Sequence, residues 1–132
     1  MDDDTIRKIL KDSKTIAVVG LSPKPERDSY EVAEYLQEAG YKIIPVNPTA
    51  DEILGEKAFP DLISIPGKID VVDVFRRPEH VPEVIDEAIK VGAKTVWLQL
   101  GVIHEGAAQK AADAGLNVVM DRCMLREHKR FL

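Results

Sequence analysis

The feature that most limits what this chain can fold into is a series of short runs that are apolar at nearly every position. Thr15-Ile16-Ala17-Val18-Val19, Lys42-Ile43-Ile44-Pro45-Val46, Asp70 to Phe75, Thr95 to Leu100 and Asn117 to Met120 each read as a strand. They lack the polar alternation of a half-exposed sheet, so both of their faces need cover. That is the condition of a parallel sheet between layers of helix. The intervening segments supply helical patterns. Thr5 to Asp12 puts Ile6, Ile9 and Leu10 on one face, with Asp4 placed to cap. Asp28 and Glu31 have capping-box spacing ahead of an apolar stripe of Val32, Ala33, Leu36 and Ala39, and Gly40 ends it. Glu79 to Val91 carries Val81, Val84, Ile85, Ala88 and Ile89 inward, and Glu105 to Ala114 follows His104 in a capping place. Thr49 to Lys68 is irregular, with Leu62, Ile63 and Ile65 expected to pack it onto the sheet. The expectation is an open parallel α/β sheet of about five strands with helices on both faces, one domain over residues 1–132.

Composition narrows the function classes. At 132 residues the chain has room for one core. Its 18 basic and 23 acidic residues leave a charge of −5, which offers no general attraction to nucleic acid or an anionic membrane. A single cysteine excludes an internal disulfide framework and a Cys-rich zinc site, and fits a reducing, cytoplasmic setting. The apolar runs Ile16 to Leu21 and Val96 to Ile103 are too short to span a bilayer, and the opening Met1-Asp2-Asp3-Asp4 is no signal peptide.

In an open α/β sheet, ligands bind beyond the carboxyl ends of the strands, where strand order reverses. The informative residues are therefore Gly20 to Arg27, Val46 to Pro48, Phe75 to Pro78, Gln99 to Val102 and Asp121 to Cys123. The first of these loops keeps only the leading glycine of a dinucleotide fingerprint, in Gly20-Leu21-Ser22-Pro23-Lys24-Pro25. Gly20 permits a tight exit and close approach to backbone. Pro23 and Pro25 have no N–H to give a pyrophosphate, so Ser22, Lys24 and Arg27 would have to hold it. A solvated turn is the competing account. Asn47-Pro48 stands where an NAD site carries an acid for the ribose diol, which points away from nicotinamide cofactors and toward a phosphorylated adenosine; a plain turn explains it too. Arg76-Arg77, at a strand end beside a helix start, suits a phosphate. Ion pairing with Glu79 or Glu83 is the alternative.

These motifs together carry a resemblance. Gly20 to Arg27 with Ser29-Tyr30, Ile44 to Pro48, Phe75-Arg76-Arg77-Pro78, Trp97-Leu98-Gln99-Leu100-Gly101 and Met120 to Cys123 occur in an order that resembles the small stand-alone CoA-binding proteins of Rossmann type. These are similar to the CoA-binding domain of succinyl-CoA synthetase α subunits and of ADP-forming acyl-CoA synthetases. The resemblance implies coenzyme A, or an acyl-CoA, across the strand ends. Gly20, Leu21, Ser22, Pro23, Lys24 and Pro25 would meet its phosphates. Val46, Asn47, Pro48, Arg76, Arg77 and Pro78 would flank the adenosine, and Gln99, Leu100 and Gly101 would line the way to the pantetheine arm. Arg27, Arg76 and Arg77 would counter the phosphate charge.

Because the sequence stops at Leu132, short of the synthetases' catalytic portion, the expectation is a non-catalytic binding, sensor or carrier module with no metal. A protein partner or a homo-oligomer is compatible with such a platform. The alternative is a small enzyme acting on an acyl-CoA or using a nicotinamide cofactor, with Cys123 or His128 as reactive group; Cys123 is also placed for a mixed disulfide with CoA. A structural thiol within a basic tail, Arg122 to Leu132, is the plainer account.

Overall fold

The computed structural model describes residues 1–132. Its centre is a parallel sheet of β1 (Thr15–Val19), β2 (Lys42–Val46), β5 (Val71–Val74), β6 (Thr95–Leu98) and β7 (Asn117–Val119), in the order β2-β1-β5-β6-β7. The helices are α1 (Asp3–Asp12), α2 (Asp28–Glu38), α3 (Val81–Lys90), α4 (Glu105–Asp113) and α5 (Met124–Phe131). The molecule is thus an α/β Rossmann-like fold, a five-stranded parallel sheet flanked by five helices. β1 and β2 begin and end where the sequence places them.

Alternate side chains of the strands feed two cores, one on each face of the sheet. Val18, Val71 and Trp97 join Ile6, Leu10, Val32, Leu36 and Met124 under α1, α2 and α5. Val19, Val72, Val74, Val96 and Leu98 join Val81, Val84, Ile85 and Ala111 under α3 and α4. Strand order reverses between β1 and β5: from β1 the chain goes out to β2, then crosses back to β5 and continues the other way. The exits of β1 and β5 therefore diverge and leave a crevice at their carboxyl ends.

Several local expectations are corrected. Asp2, not Asp4, caps α1, accepting from the Thr5 N–H at 2.8 Å. Asp28 is the first residue of α2 rather than its cap; Arg27 holds that position and gives no side-chain bond. Ala39 is exposed beyond the helix, and Ile63 is exposed where Leu62 and Ile65 are buried. The irregular stretch contains a small antiparallel hairpin, β3 (Glu52–Ile53) with β4 (Glu56–Lys57). A 3₁₀ turn, Pro78–His80, precedes α3, so the long helix expected from Glu79 starts later, at Val81. β6 ends at Leu98, because the Gln99 side chain turns in to a carboxyl group and Leu100 turns out to solvent. Finally, the basic tail is helical. Met124 is fully buried in α5, and Glu127 bonds both Arg122 and Arg130. His104 does cap α4, its Nδ1 accepting from Ala107 N–H at 3.0 Å.

Candidate functional site

The crevice is built on one close contact. Gly20 leaves β1 with φ +85°, and a Cβ there would lie 2.2 Å from the Phe75 carbonyl oxygen. The Arg76 side chain lies on the same spot, its Cδ 3.2 Å from that position. Two cavities open from this floor. One, ≈ 350 Å³, is walled by Val46, Asn47, Pro48, Thr49, Leu62 and Val84. The other, ≈ 560 Å³, is walled by Phe75, Arg77, Pro78, Gln99, Leu100, Gly101, Val102 and Cys123, with Leu125 and Arg126 from α5. Arg76 lines both. A third, shallower recess beside Gly20 is formed by Ser22, Lys24, Glu26, Arg27, Asp28 and Ser29.

Four cations at the crevice are free of ion pairs. Arg76, Arg77, Lys24 and Arg27 make no ion pair: Glu83 faces His80 instead, at 3.5 Å. The N-terminus of α2 opens onto the shallow recess without a side-chain cap. The N–H groups of Asp28 and Ser29 have no hydrogen-bond acceptor, while those of Tyr30 and Glu31 bond to Arg27. Unpaired donors at a helix start and free guanidinium groups are a recognised setting for phosphate. Acids share the site: Glu26 and Asp28 line the recess with Lys24 and Arg27, Asp61, Glu83 and Glu87 line the smaller cavity, and Asp28 and Glu31 line the larger, so a bound phosphate has to sit close to the cations to feel a net attraction.

Other residues singled out by sequence are placed less directly. Leu21 is fully buried, and only its carbonyl serves, accepting from Asn47 Nδ2 at 3.0 Å. Asn47 Oδ1 takes the Thr49 N–H and hydroxyl at 2.8 and 2.9 Å. Asn47 thus ties the first two loops together as well as lining the smaller cavity. Ser22 is drawn to α2 through its N–H, which donates to Ser29 Oγ at 3.0 Å, and its own Oγ accepts from Lys24 N–H. Pro23 and Pro25 are exposed and line none of the three recesses. Gly101 (φ +83°) donates to Asp121 Oδ1 at 2.7 Å, which joins the loops after β6 and β7.

Cys123 and His128 part company. Cys123 is half-buried and lines the larger cavity. His128 hydrogen-bonds Tyr35 Oη at 2.8 Å and packs edge-on to Tyr35 and Tyr41, and burial holds its imidazole below the usual value. No hydrogen bond joins it to Cys123.

Sequence reasoning missed Asp73, in the middle of β5. Asp73 is fully buried; its Oδ1 accepts from Gln99 Nε2 and its Oδ2 has no partner. Burial pushes its carboxyl up to about 7, and the Gln99 hydrogen bond only partly opposes this. The signal was present as the one charged residue inside the run Val71-Val72-Asp73-Val74. Leu125 and Arg126 were missed because their helix was.

The chain has known relatives. A family model described as a CoA binding domain matches residues 14–129. The chain is similar to the YneT protein of Bacillus subtilis, with 49% identity over 123 residues, covering 93% of this chain and 91% of that one. It is similar to the ADP-forming acetate–CoA ligase II of Archaeoglobus fulgidus, 34% identical over 96 residues. That match takes in 70% of this chain but only 14% of the ligase's length. Among solved structures, a protein from Pyrococcus horikoshii OT3 superposes with a TM-score of 0.96 at 50% identity, over 99% of this chain and 92% of that one.

Proposed function

The chain belongs to the CoA-binding domain family, and on that premise we propose that it binds coenzyme A or an acyl-CoA across the carboxyl edge of the sheet. The observation that carries this reading is Arg76, lying over Gly20 without an ion pair and lining both cavities. A ligand with charge in the middle and two dissimilar ends matches that layout. Adenosine belongs in the smaller cavity beside Asn47 and Pro48. The pyrophosphate belongs over Gly20, within reach of Arg76 and of the uncapped start of α2. The pantetheine arm belongs in the larger cavity, whose walls include Phe75, Pro78, Leu100, Val102 and Leu125. Its thiol end, free or acylated, would run toward Cys123.

The residues present fit the group: free cations and unpaired N–H groups for phosphate, apolar walls for the arm. The role we favour is binding, as a sensor or carrier, rather than turnover. What supports it over the enzyme reading is the fate of His128, whose ring nitrogen is committed to Tyr35 instead of to Cys123. Isothermal titration with CoA, acetyl-CoA, NAD and NADP tests the proposal. The expected result is heat from the CoA compounds and none from the nicotinamides. No heat from CoA or acetyl-CoA at millimolar concentration would overturn it.

A further inference from the structure

Gln99 is 3% exposed, yet it lines the larger cavity. Its Nε2 donates to Asp73 Oδ1, while its Oε1 receives no hydrogen bond from the protein. Asp73 stands behind it, between Val18 and Trp97 in the sheet register, sealed from solvent. An ionised carboxyl group only accepts hydrogen bonds, so it dictates which end of the Gln99 amide turns toward it. The NH₂ faces Asp73, and the carbonyl oxygen is left for the crevice. A neutral neighbour such as asparagine would impose no such choice.

We propose that Asp73 is a positioning residue that fixes Gln99 Oε1 as a hydrogen-bond acceptor for an N–H group of the ligand arm in the larger cavity. The inference rests on the CoA reading above, since the pantetheine arm carries amide N–H groups and the adenosine bisphosphate end does not enter this cavity. It assigns selectivity for the arm to a residue that never touches the ligand. A buried carboxyl with an unpaired oxygen is costly in a strand centre. Its use as an orienting group gives that cost a function.

The test is calorimetry at a pH above 8, where the carboxyl is ionised, with two probes: CoA, and adenosine 3′,5′-bisphosphate, which has no arm. Asp73→Asn should weaken CoA binding by about fivefold, the worth of one oriented hydrogen bond. It should leave the bisphosphate within about twofold, the limit of an unchanged phosphate site. Gln99→Leu should do the same. The double variant should bind CoA no more weakly than Gln99→Leu alone, because Asp73 acts only through Gln99. If Asp73→Asn folds poorly, the pattern for Gln99→Leu still decides whether the acceptor exists. Unchanged CoA affinity in either variant, or equal loss of both probes, overturns the inference while CoA binding stands. Wild-type protein that binds neither probe overturns the CoA reading, and this inference with it.

Discussion

The α-carbon of Gly20 faces the carbonyl oxygen of Phe75 so closely that a Cβ would stand 2.2 Å away. This contact joins the two strand exits between which the sheet reverses direction. The φ of +85° there would strain any other residue as well. Gly20→Ala should therefore cost about 3 kcal/mol of stability, combining left-handed strain with an overpacked backbone contact. Chemical denaturation measures it. A loss within ~0.5 kcal/mol, the range of a neutral surface change, would show that the exits separate easily.

Arg76 and Arg77 adjoin in sequence but differ in placement. Arg76 is half-buried between the two cavities, and Arg77 is exposed at the edge of one. Arg76→Ala should weaken CoA binding about 10- to 100-fold, the range for a lost charge-assisted bond to phosphate. Arg77→Ala should cost less than about fivefold, as solvent screens an exposed charge. Titrations at low and high salt add a check, for the wild type should lose more affinity to salt than Arg76→Ala does.

Asp73 also shapes stability against pH. Its carboxyl titrates near an ordinary 3.8 when unfolded and about 7 when folded. Between these values the folded protein keeps a proton that the unfolded chain releases, so this group makes stability fall as pH rises through the window. Above about pH 7 the loss is complete. Asp73→Asn should abolish this component and be more stable than wild type at pH 8, by roughly 1–2 kcal/mol once its own unpaired N–H is counted. Urea unfolding at pH 5 and pH 8 provides the comparison. A variant that loses as much stability as wild type across that interval would refute a buried, proton-holding Asp73.

Cys123 can report on the crevice. It lines the larger cavity while remaining partly accessible. Alkylation by iodoacetamide, followed by mass spectrometry, should slow severalfold when CoA is saturating. NAD at the same concentration should give no protection. Equal rates with and without CoA would place the arm elsewhere.

Some of this was legible in the amino acids and some was not. Ile16 to Val19 and Ile43 to Val46 announce their strands because both faces are buried, and burial on both faces leaves no polar position to blur the ends. The placement of Gly20, Asn47 and Arg76 at the carboxyl edge follows from the strand pattern alone, since each comes just after a strand. The start of α2 is not legible because Asp28 and Glu31 carry the spacing of a cap one residue too late. Only the loop's path makes Arg27 the cap and leaves the first N–H groups free. α5 shows in the sequence only as charge, because its fit depends on tertiary partners: Met124 against the core and Glu127 between two arginines. The pairing of Asp73 with Gln99 spans 26 residues of sequence and crosses from one strand to the end of the next. No local pattern encodes such a contact.

The position of Arg76 between two cavities has a consequence for competition. If coenzyme A binds as proposed, the crevice acts as a bivalent receptor, with the pyrophosphate as the tether between a nucleotide half and an arm half. Once one half is seated, the other meets its cavity at an effective concentration that short tethers place in the millimolar range. Each half alone forfeits that advantage. Abundant nucleotides such as ATP fill one compartment only, so they should displace CoA poorly however well their phosphates satisfy Arg76.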